Sequence, residues 1–152
     1  MTREQALNRM AALCSRSEHC ESEIRTKLLR AGMAESDIDA IVDTLYDGDY
    51  INNIRYCYAY ARDQLRFAHW GRLKIAAALR QKRLPQADID MAIRELDDEE
   101  YTAALDSVLA ARLRSLSSDD DSYRRRMALM RHAASRGFTC DEVEKCLERL
   151  KT

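Results

Sequence analysis

Apolar residues fall at i, i+3, i+4 and i+7 in three separate stretches of the chain. They are Ile38, Ile41, Val42 and Leu45; then Ile89, Ala92, Ile93 and Leu96; then Val143, Cys146, Leu147 and Leu150. That spacing lines one face of an α-helix and does not match the two-residue alternation of a half-buried strand. The stretches are also copies of one another. At an offset of 51 residues, Ile24, Leu28, Met33, Ile38, Val42 and Leu45 lie over Ile75, Leu79, Leu84, Ile89, Ile93 and Leu96. A further offset of 54 brings Leu129, Ala133, Phe138, Val143, Leu147 and Leu150 into the same register, with no gap inside any segment.

Each copy reads as helix, short turn, helix. Gly32 and Gly137 stand at matching positions, where a helix ends and the chain needs a left-handed residue. The middle copy carries Arg83 there, so its turn closes differently or under strain. A recurrent acid (Asp37, Asp88, Glu142) sits in the first turn of the last helix, facing free N–H groups and the positive end of the helix dipole. Thr139 and Glu142 have the spacing of a capping box. Asp37-x-Asp39 and Asp88-x-Asp90 recur with the repeat, so they read as helix-start acids; a catalytic pair is normally built once, in one cleft.

A further helix precedes each pair. It is marked by Leu7, Met10, Ala11 and Cys14; by Tyr58, Ala61 and Leu65; and by Tyr101, Ala104, Leu105, Val108, Leu109 and Arg112. The expected fold is therefore all-α, with three tandem three-helix modules over residues 1–50, 51–96 and 97–152 forming an elongated, curved helical-repeat protein. Ser115 to Ser122, polar and acidic, is expected as a loop inside the third module.

Composition narrows the picture. Four Gly and one Pro are too few to turn a many-stranded β protein. No stretch approaches the roughly 18 apolar residues of a membrane-spanning helix, so no membrane partner is expected. The charged, amphipathic amino terminus reads as mature structure of a cytoplasmic protein. Five cysteines, an odd number with no C-x-x-C, argue against a disulfide framework or a structural zinc site. His19, His69 and His132 are scattered, and His19-Cys20 alone does not make a metal site.

Charge separates the modules more than the net value of −1 suggests. Residues 1–50 carry −4, residues 51–96 carry +5 and residues 97–152 carry −2. The basic middle also holds Tyr56, Tyr58, Tyr60, Phe67 and Trp70. Cations interleaved with aromatic rings suit a nucleic-acid backbone or an acidic protein surface. Candidate contacts are Arg55, Arg62, Arg66, Trp70, Arg72, Lys74, Lys82 and Arg83. Arg124, Arg125 and Arg126 form a second cluster at a helix start, where cations oppose the dipole and so do not serve helix stability; Asp119, Asp120 and Asp121 stand just before them. The competing reading makes these side chains packing and solvation of helix faces.

Three ordered segments resemble the RecX family of bacterial regulators. Arg16-x-Glu18-His19-Cys20-x-x-Glu23-Ile24-Arg25-x-Lys27-Leu28 is similar to its first-module signature, with Cys20 for the usual capping Ser and Ile24 for Leu. Asp49-Tyr50-Ile51-Asn52-Asn53-x-Arg55-Tyr56 is similar to the approach to its second module, with Asn53 for an acid and Tyr56 for Phe. Trp70-Gly71-Arg72-x-Lys74-Ile75-x-x-x-Leu79-x-x-Lys82 resembles the following segment, with Ala78 where Glu is common. The resemblance implies a regulator that binds the RecA–single-strand DNA filament in its groove and limits recombination and repressor cleavage. It implies the RecA filament as partner, with single-stranded DNA a further one, and no catalytic residue, cofactor or small-molecule substrate. Two other readings stand beside it: a direct single-strand or duplex DNA binder, and a helical-repeat adaptor for another protein. An enzyme is disfavoured, because the chain has no phosphate-binding loop, dinucleotide glycine fingerprint, H-E-x-x-H or nucleophile elbow.

Overall fold

The computed structural model describes residues 1–117 and 121–151, and among these it contains nine α-helices and no strand. They are α1 (Arg3–Arg16), α2 (Glu21–Arg30), α3 (Glu35–Asp47), α4 (Asn53–Asp63), α5 (Arg72–Gln81), α6 (Gln86–Arg94), α7 (Asp98–Ser115), α8 (Ser122–Ser135) and α9 (Cys140–Lys151). In each set of three, the last helix packs on both of the others. The stretch expected as a loop runs between α7 and α8, and its Ser118, Asp119 and Asp120 lie outside the described residues.

Helix starts follow the sequence signals. Thr2 and Gln5 close a reciprocal capping box on α1, with Gln5 N–H donating to Thr2 Oγ1 at 3.1 Å and Thr2 N–H to Gln5 Oε1 at 2.9 Å. Thr139 and Glu142 do the same for α9, at 3.1 and 2.8 Å. Asn52, Asp97 and Asp121 each accept a backbone N–H at the start of α4, α7 and α8. Each middle helix of a module ends in the same way. Met33 N–H reaches Leu28 O, Leu84 N–H reaches Leu79 O and Phe138 N–H reaches Ala133 O, the wide bond of a Schellman cap. The residue before each is left-handed: Gly32 at φ 80°, Arg83 at 63° and Gly137 at 97°. The middle turn thus closes like the other two, with an arginine held where a Cβ costs about 1 kcal/mol.

The apolar stripes are buried where expected. Ile38, Ile41, Val42 and Leu45 are at most 2% exposed. The stripe on α9 ends early: Leu150 is 62% exposed, since no helix packs over it as chain covers Leu45 and Leu96. On the first helices the buried line lies one residue earlier than Leu7 and Tyr58. Ala6 and Cys57, themselves 51 apart, are fully buried, while Leu7 and Tyr58 pack at the margin. The core divides in two. Ala6, Met10, Ile24, Leu28, the α3 stripe and Ile51 make one cluster; the other runs unbroken from Tyr56 through Cys146 and draws in Cys20. The second and third modules therefore share one interior. The first keeps nearly its own.

Two features at the end of α4 were not legible. Residues Gln64–Ala68 continue it as a π-turn, closed by left-handed His69 at φ 55° and by Trp70 N–H donating to Gln64 O at 3.2 Å. This turn packs against α7. Beside it, Gly71 meets Gly137 backbone to backbone: Gly71 N–H donates to Arg136 O at 2.7 Å and Leu73 N–H to Gly137 O at 3.1 Å. A Cβ on Gly71 would sit 2.5 Å from the Gly137 carbonyl. The accessible surface is 9427 Å², against roughly 7900 Å² for a compact monomer of this mass, so the body is extended.

The close approach makes an expected contrast. Gly71→Ala should lose about 1–3 kcal/mol through overpacking of the seam. Gly32→Ala has open space around its Cβ and should lose about 1 kcal/mol from backbone strain alone. Urea unfolding of the two variants checks this; equal losses would mean that the seam yields.

Candidate interaction surface

The candidate cations of the second module divide by what they touch. Arg55 leaves α4 toward the α1–α2 loop, where Nε donates to Glu18 Oε2 at 2.6 Å and Nη1 to Asp49 Oδ2 at 3.1 Å. Its Nη2 also donates to the carbonyls of Asp49 and Tyr50. Arg66 forks onto Glu100 of α7 with bonds of 3.0 and 2.8 Å, a bidentate pair. Arg72 lies 3.8 Å over the Tyr101 ring, and its Nη1 donates to Glu142 Oε2 at 2.9 Å. Its backbone N–H donates to the Tyr101 hydroxyl. Lys74 sits 4.6 Å over half-buried Trp70 and reaches Ser135 O at 3.4 Å. Lys82 is 3.7 Å from Glu23 and faces the Tyr60 ring. These five cations hold the modules to one another.

Arg62 and Arg83 are different. Both are exposed, and the side chain of neither makes an ion pair or hydrogen bond among the described residues. In the third module Arg126 pairs with Glu144 at 3.4 Å, and Arg124 lies 3.9 Å from the helix-capping Asp121. Arg125 is half-buried beside them. Asp119 and Asp120, the other acids of that cluster, lie outside the described residues.

The structure adds surface residues that were not among the candidate contacts. Phe67, on the π-turn, is 82% exposed; it stands two residues past buried Leu65 and so off the apolar stripe, which is the signal that marks it. Between the end of α7 and the start of α8 lies a groove of about 580 Å³ lined by Arg112, Tyr123, Arg124 and Arg131, with no carboxylate among its described walls. The Nε of Arg112 is buried without a hydrogen-bond partner. Burial, then the charges of Arg136 and Arg112, press the His132 imidazole below its ordinary pKa, so this face keeps its neutral histidine near pH 7. Among the described residues no group of His, Cys, Asp and Glu could hold a metal ion. None of their helices is long and apolar enough to cross a membrane.

Two family models match the chain: the first three-helix domain of RecX over residues 6–45, and the second over residues 52–93. The chain belongs to the RecX family. A regulatory protein RecX of Prosthecochloris aestuarii is 29% identical, the match covering 97% of this chain and 94% of that one. One of Vibrio campbellii is 27% identical over 89% of this chain and 84% of its own. Two solved structures share the fold. A regulatory protein RecX superposes with TM-score 0.86 at 23% identity over 96% of this chain and 73% of its own. RecX from Lactobacillus salivarius gives 0.85 at 19%, covering 98% of this chain and 96% of that one. The RecX fold is thus three tandem three-helix modules, and the homologues' names make this chain a regulatory protein.

Two expected outcomes follow from the joints. Arg72→Ala removes a stacked guanidinium and a charged hydrogen bond and should cost about 1–3 kcal/mol in urea unfolding, whereas Arg62→Ala should stay within about 0.5 kcal/mol. The second concerns acid. Burial tends to raise the Glu23 carboxyl, but the Cys20 backbone and thiol and the Lys82 charge outweigh it, leaving its pKa lowered. Glu21, with burial opposed by Arg25 and Tyr46, is lowered too. A lowered carboxylate stabilises the fold above its unfolded pKa of about 4.3 and stops doing so as pH falls through the folded value. Glu23→Gln should therefore flatten the fall of melting temperature on the acid side of about pH 4.3, and leave its slope above pH 6 unchanged.

Proposed function

We propose that this chain binds the RecA–single-strand DNA filament along its groove and limits RecA's ATP hydrolysis, strand exchange and promotion of repressor cleavage. Membership of the RecX family supports the reading. The observation that carries it is the division of charge: an extended body uses five of the nine cations of its second module to fix its modules, yet keeps unpaired ones along its length. Lys27 and Arg30 in the first module and Arg62 and Arg83 in the second are exposed without ion pairs among the described residues. The α7–α8 groove continues the series in the third. An extended row of contacts gains affinity by multivalency on a repeating partner, even where each contact is weak.

In this reading Arg62, Arg83 and the basic wall of the α7–α8 groove, Arg124 included, meet the filament. Arg55, Arg66, Trp70, Arg72, Lys74, Lys82 and Arg126 act through the shape they hold. The chain works as a regulator with no chemistry of its own. The α7–α8 groove, whose charged walls among the described residues are all arginine, favours with exposed Tyr123 one second reading, direct binding to a nucleic-acid strand.

ATP hydrolysis by RecA on saturated single-stranded DNA, with this chain titrated in, decides between them. The expected result is inhibition that persists when free DNA is added, weakened several-fold by Arg62→Glu with no change in melting temperature. Inhibition that disappears with excess DNA, and a steep loss of affinity with salt, would establish the second reading. No inhibition at any ratio would sink the first.

A further inference from the structure

The left-handed position of the three repeat turns is glycine in two and Arg83 in the third, and the arginine has no use inside the fold. Among the described residues three that are not glycine are left-handed: Asp49, His69 and Arg83. Asp and His are enriched in that conformation, and Asp49 is also held there by bonds from Asn52 and Arg55. Arg83 belongs to neither case. Its side chain is exposed and makes no hydrogen bond or ion pair among the described residues, and glycine serves at both equivalent positions. Strain kept without an internal contact points to an external one.

Arg83 stands on the lip of a groove of about 780 Å³ between α2 and the last turn of α5. Lys27 and Arg30 line the opposite wall and are also unpaired. The groove's carboxylates are used internally: Glu21 with Arg25 at 2.8 Å, and Glu23 with Lys82 at 3.7 Å. Leu29, 61% exposed, lies among the cations.

We infer that this groove docks an acidic polypeptide segment carrying at least one apolar side chain, with Arg83 reaching out of its left-handed turn to the segment's carboxylates. A phosphodiester strand fits poorly, because it presents a charge at every step and would meet Glu21 and Glu23. A polypeptide can set carboxylates opposite Lys27, Arg30 and Arg83, and an apolar group on Leu29. The inference rests on the function proposed above only in naming RecA as the protein that bears the segment.

The test uses the full chain, labelled with 15N, titrated with an acidic peptide of four Asp or Glu around one Leu, and separately with oligo-dT. The peptide should shift amides of residues 26–30 and 81–84. Arg83→Gly should weaken that binding at least fivefold while raising the melting temperature by up to about 3 °C, since it relieves strain. Arg30→Glu, which leaves the turn alone, should weaken the binding as well. Peptide affinity unchanged in Arg83→Gly would overturn the inference, as would shifts at these amides with oligo-dT but not with peptide. If the wild-type chain leaves RecA untouched yet binds the peptide here, the proposed function fails and the docking site stands.

Discussion

Gly71 and Gly137 meet backbone to backbone so closely that a Cβ on Gly71 would strike the Gly137 carbonyl and one on Gly137 would strike Lys74, and the placement of the third module depends on that approach. The contact puts the start of α5 against the α8–α9 turn and sets the distance at which every other bond of the seam forms. Arg72 can lie on Tyr101 and reach Glu142 only because its own N–H is drawn to the same neighbourhood. The Tyr101 ring in turn meets Phe138 edge-on at 5.3 Å, which continues one interior from the second module into the third. Small modules gain most from such sharing, since a domain of about 50 residues buries a modest core alone.

Much of this was legible in the sequence. The repeat, the helix pairs, the three stripes and the caps at Thr139 and Gly137 all rest on local spacing. At Arg83 the sequence left two outcomes open, a different closure or a strained one, and the turn took the strained one. On the first helices Met10, Ala61, Leu65 and the α7 stripe are buried as read, but Leu7 and Tyr58 yield the centre to Ala6 and Cys57, a residue earlier. Leu7 and Tyr58 are the larger pair, yet the close packing of three short helices selects the smaller one for the centre. The π-turn left no trace, because it answers to α7, more than thirty residues away.

The candidate surface was less legible, for a reason of distance. Sequence shows an arginine but not its partner. Arg66 finds Glu100 across 34 residues and Arg72 finds Glu142 across 70, so a basic segment read as one binding patch is mostly a set of joints. What remains free, Arg62 and Arg83, looks no different in the sequence from the arginines that are bound.

The two seams are made of different materials. Between the second and third modules lie a shared apolar interior and paired backbones, which salt does not screen. Between the first and second stand chiefly Arg55 with Glu18, Lys82 with Glu23, the Tyr46 hydroxyl on Asn53, and two apolar pegs, Cys20 in the second module's interior and Ile51 in the first's. Ion pairs this near to solvent weaken as ionic strength rises. Mechanically the second and third modules make one beam whose joint salt leaves alone, while the first stands on a joint that loosens as ionic strength rises.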